Sequence, residues 1–178
     1  MSAVFWPNIA DYLLLVVVFL PLLTALATQL TAQSLQHRSI NFALSGSVLT
    51  FIAALSVLIF VLVSGESRSL SSQHGWFVLL LDPLGSLMAF VIATISMLVH
   101  LYSRRYMIEE SGYARFFVLL GLMTSALLLM VTAGDLISLL IAWHLIGVIL
   151  YFLLGHDADS QEAQRFAPLI RGLEEVEA

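Results

Sequence analysis

Two histidines are the side chains in this chain best suited to moving a proton. His144 stands almost at the centre of Leu136–Gly155, LISLLIAWHLIGVILYFLLG, where it is the only side chain that titrates near neutral pH. Placing an ionisable group at mid-membrane costs on the order of a few kcal/mol, so its presence marks a functional hypothesis. An unperturbed imidazole gains and loses its proton near physiological pH, which suits a relay. The structural alternative is a neutral ring hydrogen-bonded to a nearby carbonyl or hydroxyl, and the sequence leaves both open. Apart from Asp82 at the very start of one run, no carboxylate lies within the apolar runs, so a charged partner for His144 must come from elsewhere. His100, near the end of another run, is placed either to pass protons between solvent and membrane or to rest at the interface.

Other reactive side chains point to structure. Asp82 and Asp135 flank apolar runs, where a carboxylate caps a helix or closes a turn. His156, Asp157 and Asp159 are clustered but lack the spacing of a metal site. The chain has no cysteine, which removes disulfides and thiolate ligands. It contains no phosphate-binding glycine loop, nucleophile elbow or metalloprotease signature. An active site of its own is therefore disfavoured, and neither a cofactor nor a metal is expected.

These groups must be held by membrane helices. Of 178 residues, 60% are hydrophobic and 11% charged, with a mean hydropathy of +0.99. A hydrocarbon core about 30 Å thick needs roughly 20 apolar residues of helix. Runs at about Tyr12–Leu30, Ile40–Val63, Asp82–Tyr102, Phe116–Val131 and Leu136–Gly155 meet or approach that length. Pro21 is expected to kink the first, and Asp82 followed by Pro83 is a fitting start for the third. The runs are continuous and Leu-rich, without the period-two alternation of a β-barrel. The expected fold is an all-α polytopic bundle in a lipid bilayer. Arg38, Arg104, Arg105, Arg115, Arg165 and Arg171 fall on one side and only Arg68 on the other, which places the N-terminus outside and the C-terminus in the cytoplasm. Ser64–Asp82 then reads as a Ser/Gly-rich external loop with Trp76 as an interfacial anchor. With no lysine and a net charge of -5 concentrated in the tail, the chain is not a nucleic-acid binder. The expected organisation is two helices and a loop over 1–81, three helices over 82–155 and an acidic cytoplasmic tail over 156–178.

Small and polar residues form stripes. Ser86, Ala89, Ala93, Ser96, His100 and Ser103 recur at steps of three and four along one helix face. Gly121, Ser125 and Thr132 do so on the fourth span, and His144, Gly147, Tyr151 and Gly155 on the fifth. Such stripes let helices approach and exchange hydrogen bonds; a proton route would use the same residues.

Four motifs carry a family resemblance: DPLGSLM at Asp82–Met88, HLYSRRYM at His100–Met107, GYARFF at Gly112–Phe117, and W-x-L-x-G-x-x-x-Y-x-L-x-G from Trp143 to Gly155. In that order they resemble the start of the proton-conducting, antiporter-like membrane subunits of respiratory complex I, nearest the L-subunit or mitochondrial subunit-five type. The same family includes the membrane subunit of a bacterial inorganic-carbon uptake complex. The resemblance implies a multi-pass protein of the bacterial inner membrane that moves or couples protons within a larger complex. It would bind neither NADH nor flavin. Partners would be other membrane subunits and, in the carbon-uptake branch, a cytosolic carbonic-anhydrase-like protein. The relay candidates remain His144 and His100, read from their own chemistry and placement, with Ser96, Ser125, Trp143, Gly147 and Tyr151 as candidates for packing or the proton path.

Two departures shape that expectation. Complex I members carry a proton-transferring glutamate after the tryptophan of span five, where this chain has His144. A carboxylate is negative when deprotonated, whereas imidazole is neutral when deprotonated and positive when protonated, so the charge logic is reversed. This favours a divergent branch such as carbon uptake. The family's central lysines also lie on later helices, so a broken long subunit or a truncated, non-transporting scaffold are the further readings.

Overall fold

A computed structural model describes residues 5–32, 36–65, 67–71, 78–106 and 113–158. Five helices run over Phe5–Ala32 (α1), Gln36–Ser64 (α2), Pro83–Tyr106 (α3), Tyr113–Thr132 (α4) and Leu136–Ala158 (α5). Their membrane-length apolar segments are Tyr12–Thr31, Ile40–Ser64, Pro83–Arg105, Ala114–Thr132 and Leu136–Leu153. The expectation of a multi-pass all-α bundle is met, because in lipid a helix is the open-ended element that satisfies its own backbone groups. Trp76, the tail from Asp159, and the side chains of Arg38, Arg68 and His156 lie outside the described residues.

Helices α1 to α4 form a ring around one core: α1 packs on α2 and α4, and α3 packs on α2 and α4. Leu14, Val17, Ala54, Val57, Ala89, Ala93 and Leu128 fill it. Glycine sets two of the crossings. A Cβ on Gly46 would lie 2.5 Å from Thr24 Cβ on α1, and one on Gly121 would lie 3.0 Å from Ala25 Cβ. α1 continues through Pro21, and the Ser125 hydroxyl of α4 donates to the Val18 carbonyl, one turn before the proline, at 2.8 Å.

α5 stands outside the ring. It packs chiefly on α4, through Ile146, Ile149 and Leu153 against Leu119, Leu122, Met123 and Ala126. Only 17% of its apolar segment is buried, against 33–44% for the other four.

The connection after α2 departs from the expected loop. Arg68–Ser71 (β1) and Val78–Leu81 (β2) form an antiparallel pair, with Arg68 opposite Leu81 and Ser71 opposite Val78. β2 alternates in burial and sends Leu79 and Leu81 into the core. Its other edge meets the α4–α5 turn: Leu79 bridges Ala133, and the Gly134 N–H donates to the Val78 carbonyl at 2.8 Å. Burying VLLL requires partners for its backbone, and strand pairing on both edges supplies them. Two connections thus share one end of the bundle, as five antiparallel spans require.

Candidate functional site

Bilayer-depth polar groups need partners, so each stripe is tested by what its side chains meet. On α3, Ser86, Ala89, Ala93, Ser96, His100 and Ser103 are all buried. The face marked out by spacing is the face α3 turns into the ring. On α4, Gly121, Ser125 and Thr132 are buried in the same way. Most hydroxyls bond their own helix: Thr94 to the Phe90 carbonyl, Thr124 to Leu120 and Thr132 to Leu128, all at 2.7–2.8 Å. Such back-bonding to the preceding turn removes the cost of an unpaired hydroxyl in an apolar setting.

His100 is the ionisable centre of the inner face, 3% exposed. Its Nδ1 lies 2.8 Å from its own helix's Ser96 carbonyl and 3.4 Å from the Ser96 hydroxyl. Ser96 Oγ is in turn 2.7 Å from Thr124 Oγ1 on α4, and the Phe117 ring leans against the imidazole at 5.8 Å between centroids. Thr124 completes this cluster and was not among the residues singled out from spacing. Its signal is present: it lies three residues after Gly121 and eight before Thr132, on the face of α4 that those two define.

His144 lies on the opposite kind of surface. It is exposed, and so are Gly147 and its neighbours Trp143, at 65%, and Tyr151, at 74%. Nδ1 donates to the Leu140 carbonyl at 2.8 Å, and the Trp143 indole stands edge-on, 6.0 Å away. A Cβ on Gly147 would meet nothing within 4 Å. With Nδ1–H committed to a carbonyl, the neutral ring presents Nε2 as its free acceptor. The two histidines are therefore not brought together: one is enclosed between α3 and α4, the other faces away from the bundle near the middle of α5.

At the hairpin end, both aspartates cap helices. Asp82 Oδ1 accepts the Gly85 N–H at 2.9 Å. Asp135 does more. Its carboxylate accepts the Ser138 hydroxyl and the Ser138 N–H at the start of α5, and also the Val78 N–H of β2 at 2.8 Å. The Ser138 hydroxyl and then the Ser138 N–H hold this carboxyl below the usual range against the opposing effect of burial, with the Val78 and Ile137 N–H groups adding to the lowering. Asp135 fastens the hairpin to the α4–α5 turn, a long-range contact that residue spacing alone does not reveal.

Comparison with known proteins places this arrangement. Residues 71–117 match the family described as NADH-Ubiquinone oxidoreductase (complex I), chain 5 N-terminus. A probable inorganic carbon transporter subunit, DabB1, of Halothiobacillus neapolitanus is 50% identical over 149 residues, covering 83% of this chain and 27% of that protein. The chloroplastic NAD(P)H-quinone oxidoreductase subunit 5 of Mutisia acuminata is 42% identical over 89 residues, covering 50% of this chain and 12% of that one. The subunit 5 of Draba nemorosa is 39% identical over the same length. Among solved structures, a chain of the membrane-bound sulfane sulfur reductase, an archaeal respiratory membrane complex, shares the fold with a TM-score of 0.75 at 18% identity, over 85% of this chain and 32% of that chain. The chain thus spans about a quarter of the carbon-transporter relative and an eighth of the chloroplast ones. These matches agree in kind: the chain is similar to the N-terminal part of antiporter-like membrane subunits, among them complex I chain 5 and the inorganic carbon transporter subunit.

Proposed function

We infer that this chain is the N-terminal part of a proton-handling membrane subunit that works only within a larger complex. The observation that carries the reading is the outward face of α5. A titratable His144 sits near mid-span with Trp143, Gly147 and Tyr151 beside it, on the one helix whose polar stripe the described bundle leaves uncovered. An ionisable group facing lipid carries a standing cost, whereas one facing a neighbouring helix or a water-filled seam has a use. Nε2 is the atom that would take up and release the proton, since Nδ1–H is held by the Leu140 carbonyl. The partner group would come from other membrane helices.

Among complexes, inorganic-carbon uptake in a bacterial inner membrane is the branch we favour. The identity to the carbon-transporter subunit is higher, and over a longer stretch, than to the quinone oxidoreductase subunits. Histidine at the position where complex I members carry glutamate fits the same divergence. A cytosolic carbonic-anhydrase-like protein would then be the soluble partner, reached from the arginine-rich side. Copurification of such a protein with the complex supports this branch, and recovery of a quinone-reducing assembly overturns it.

The test of proton handling is His144→Ala in the assembled complex. Proton flux is expected to fall on the order of a hundredfold, the usual scale for removing a proton-transferring side chain. Unchanged flux with normal assembly refutes the role.

A further inference from the structure

The cluster around His100 determines more than burial, because hydrogen bonds have direction. A backbone carbonyl can only accept, so His100 Nδ1, at 2.8 Å from the Ser96 carbonyl, must carry the ring proton. The Thr124 hydroxyl has one proton, and the Leu120 carbonyl at 2.8 Å takes it. At the 2.7 Å contact between Ser96 and Thr124, the Ser96 hydroxyl is then the donor. Its proton points across to α4 and away from the imidazole, whose Nδ1 is 3.4 Å from the same oxygen.

We propose that Thr124 and Ser96 are positioning residues that lock His100 in its Nδ1–H tautomer and leave Nε2 as the single basic atom of the inner face. The competing tautomer would set an Nδ1 lone pair against a carbonyl oxygen. It could be rescued only by a Ser96 hydroxyl turned toward the ring. Thr124 removes that rescue by accepting the Ser96 proton. Burial removes the other one, since a ring only 3% exposed has little access to mending water. The hydroxyl line ends on the Leu120 carbonyl and the ring's Nδ1–H on the Ser96 carbonyl, neither of which can pass a proton onward, so Ser96 and Thr124 form a lock and not a wire. A proton reaching His100 arrives and leaves through Nε2. The importance of that atom to transport rests on the proton-handling reading above; the tautomer itself does not.

Nitrogen-15 NMR of histidine-labelled protein in lipid bilayers, at a pH where the rings are neutral, reads the lock directly. The His100 signals are identified by their loss in His100→Gln. The parent is expected to show His100 with protonated Nδ1 and unprotonated Nε2. Thr124→Val should bring out an Nε2–H signal for His100, as the freed Ser96 hydroxyl turns toward Nδ1. Thr124→Ser, which keeps the hydroxyl, should retain the parent spectrum. His144, whose Nδ1 meets only the Leu140 carbonyl among the described residues, should stay unchanged in all three. A parent spectrum dominated by Nε2–H at His100 overturns the proposal without any variant. So does a Thr124→Val protein whose His100 matches the parent. A failed lock appears in these spectra, whereas a failed transport role appears in the flux of His144→Ala.

Discussion

Gly46 and Gly147 lie in helices of similar length, yet replacing each by alanine should shift stability in opposite directions. Alanine is favoured over glycine inside a helix by about 0.5–1 kcal/mol, because glycine loses more backbone entropy on folding. At Gly147 a new Cβ meets nothing within 4 Å, so only that gain remains. The folded-to-unfolded ratio should rise roughly two- to fivefold. At Gly46 the new Cβ would lie 2.5 Å from Thr24 Cβ and 2.6 Å from both Thr24 Cγ2 and Oγ1. The β-carbon sits next to the backbone and cannot swing aside, so α1 and α2 must separate by about 1 Å to reach an ordinary contact of roughly 3.5 Å. A gap of that size forfeits a quarter to a half of each affected dispersion contact. Overpacking of this kind costs about 1–3 kcal/mol, and after the helix-propensity gain the net loss is about 1–2 kcal/mol. That is a roughly five- to thirtyfold fall in the folded-to-unfolded ratio. Unfolding of the full chain in mixed micelles with rising denaturing detergent, followed by far-ultraviolet circular dichroism and tryptophan fluorescence, measures both. A Gly46→Ala protein as stable as the parent refutes the close α1–α2 crossing. A Gly147→Ala protein less stable than the parent refutes the open face of α5. In the assembled complex the sign at Gly147 should reverse, since a helix seated there would meet the added methyl.

Two other outcomes follow from the same geometry. Asp135 has its carboxyl held below the ordinary value in the fold, so its contribution is complete above the unfolded carboxylate range and is lost as pH falls through the lower folded value. Asp135→Ala should remove this acid-side dependence and speed hydrogen exchange at the Val78 amide, which the carboxylate now holds; unchanged exchange would show that Asp135 is not the fastener. The orientation expected from the arginine distribution is testable, and because the chain has no cysteine, single substitutions report cleanly. In intact cells Ser67→Cys should react with a membrane-impermeant maleimide, and Ser111→Cys, between α3 and α4, should not. The reverse pattern would invert the topology.

The outline of this protein was legible in its residues because the bilayer imposes local rules. Span lengths, the Asp82-Pro83 start of α3, and the inner faces of α3 and α4 all follow from unbroken apolar runs and steps of three and four. Each depends on a residue's own helix and on lipid, not on which helix is adjacent. The same periodicity on α5 marked His144, Gly147 and Tyr151 in the same terms, yet that stripe faces outward while the other two face in. Spacing shows that residues share a face, but the face's direction depends on which neighbour buries the opposite side, here Ile146, Ile149 and Leu153 against α4. Likewise the hairpin was hidden in a Ser/Gly-rich segment. Its strand β2 is held by Ala133, Gly134 and Asp135, more than fifty residues away. The pairing of Ser96 with Thr124, 28 residues apart, belongs to the same class. Such contacts arise only when separate helices come within hydrogen-bond reach, and they set what each histidine can do: His100 enclosed with its proton directed, His144 open toward whatever completes the bundle.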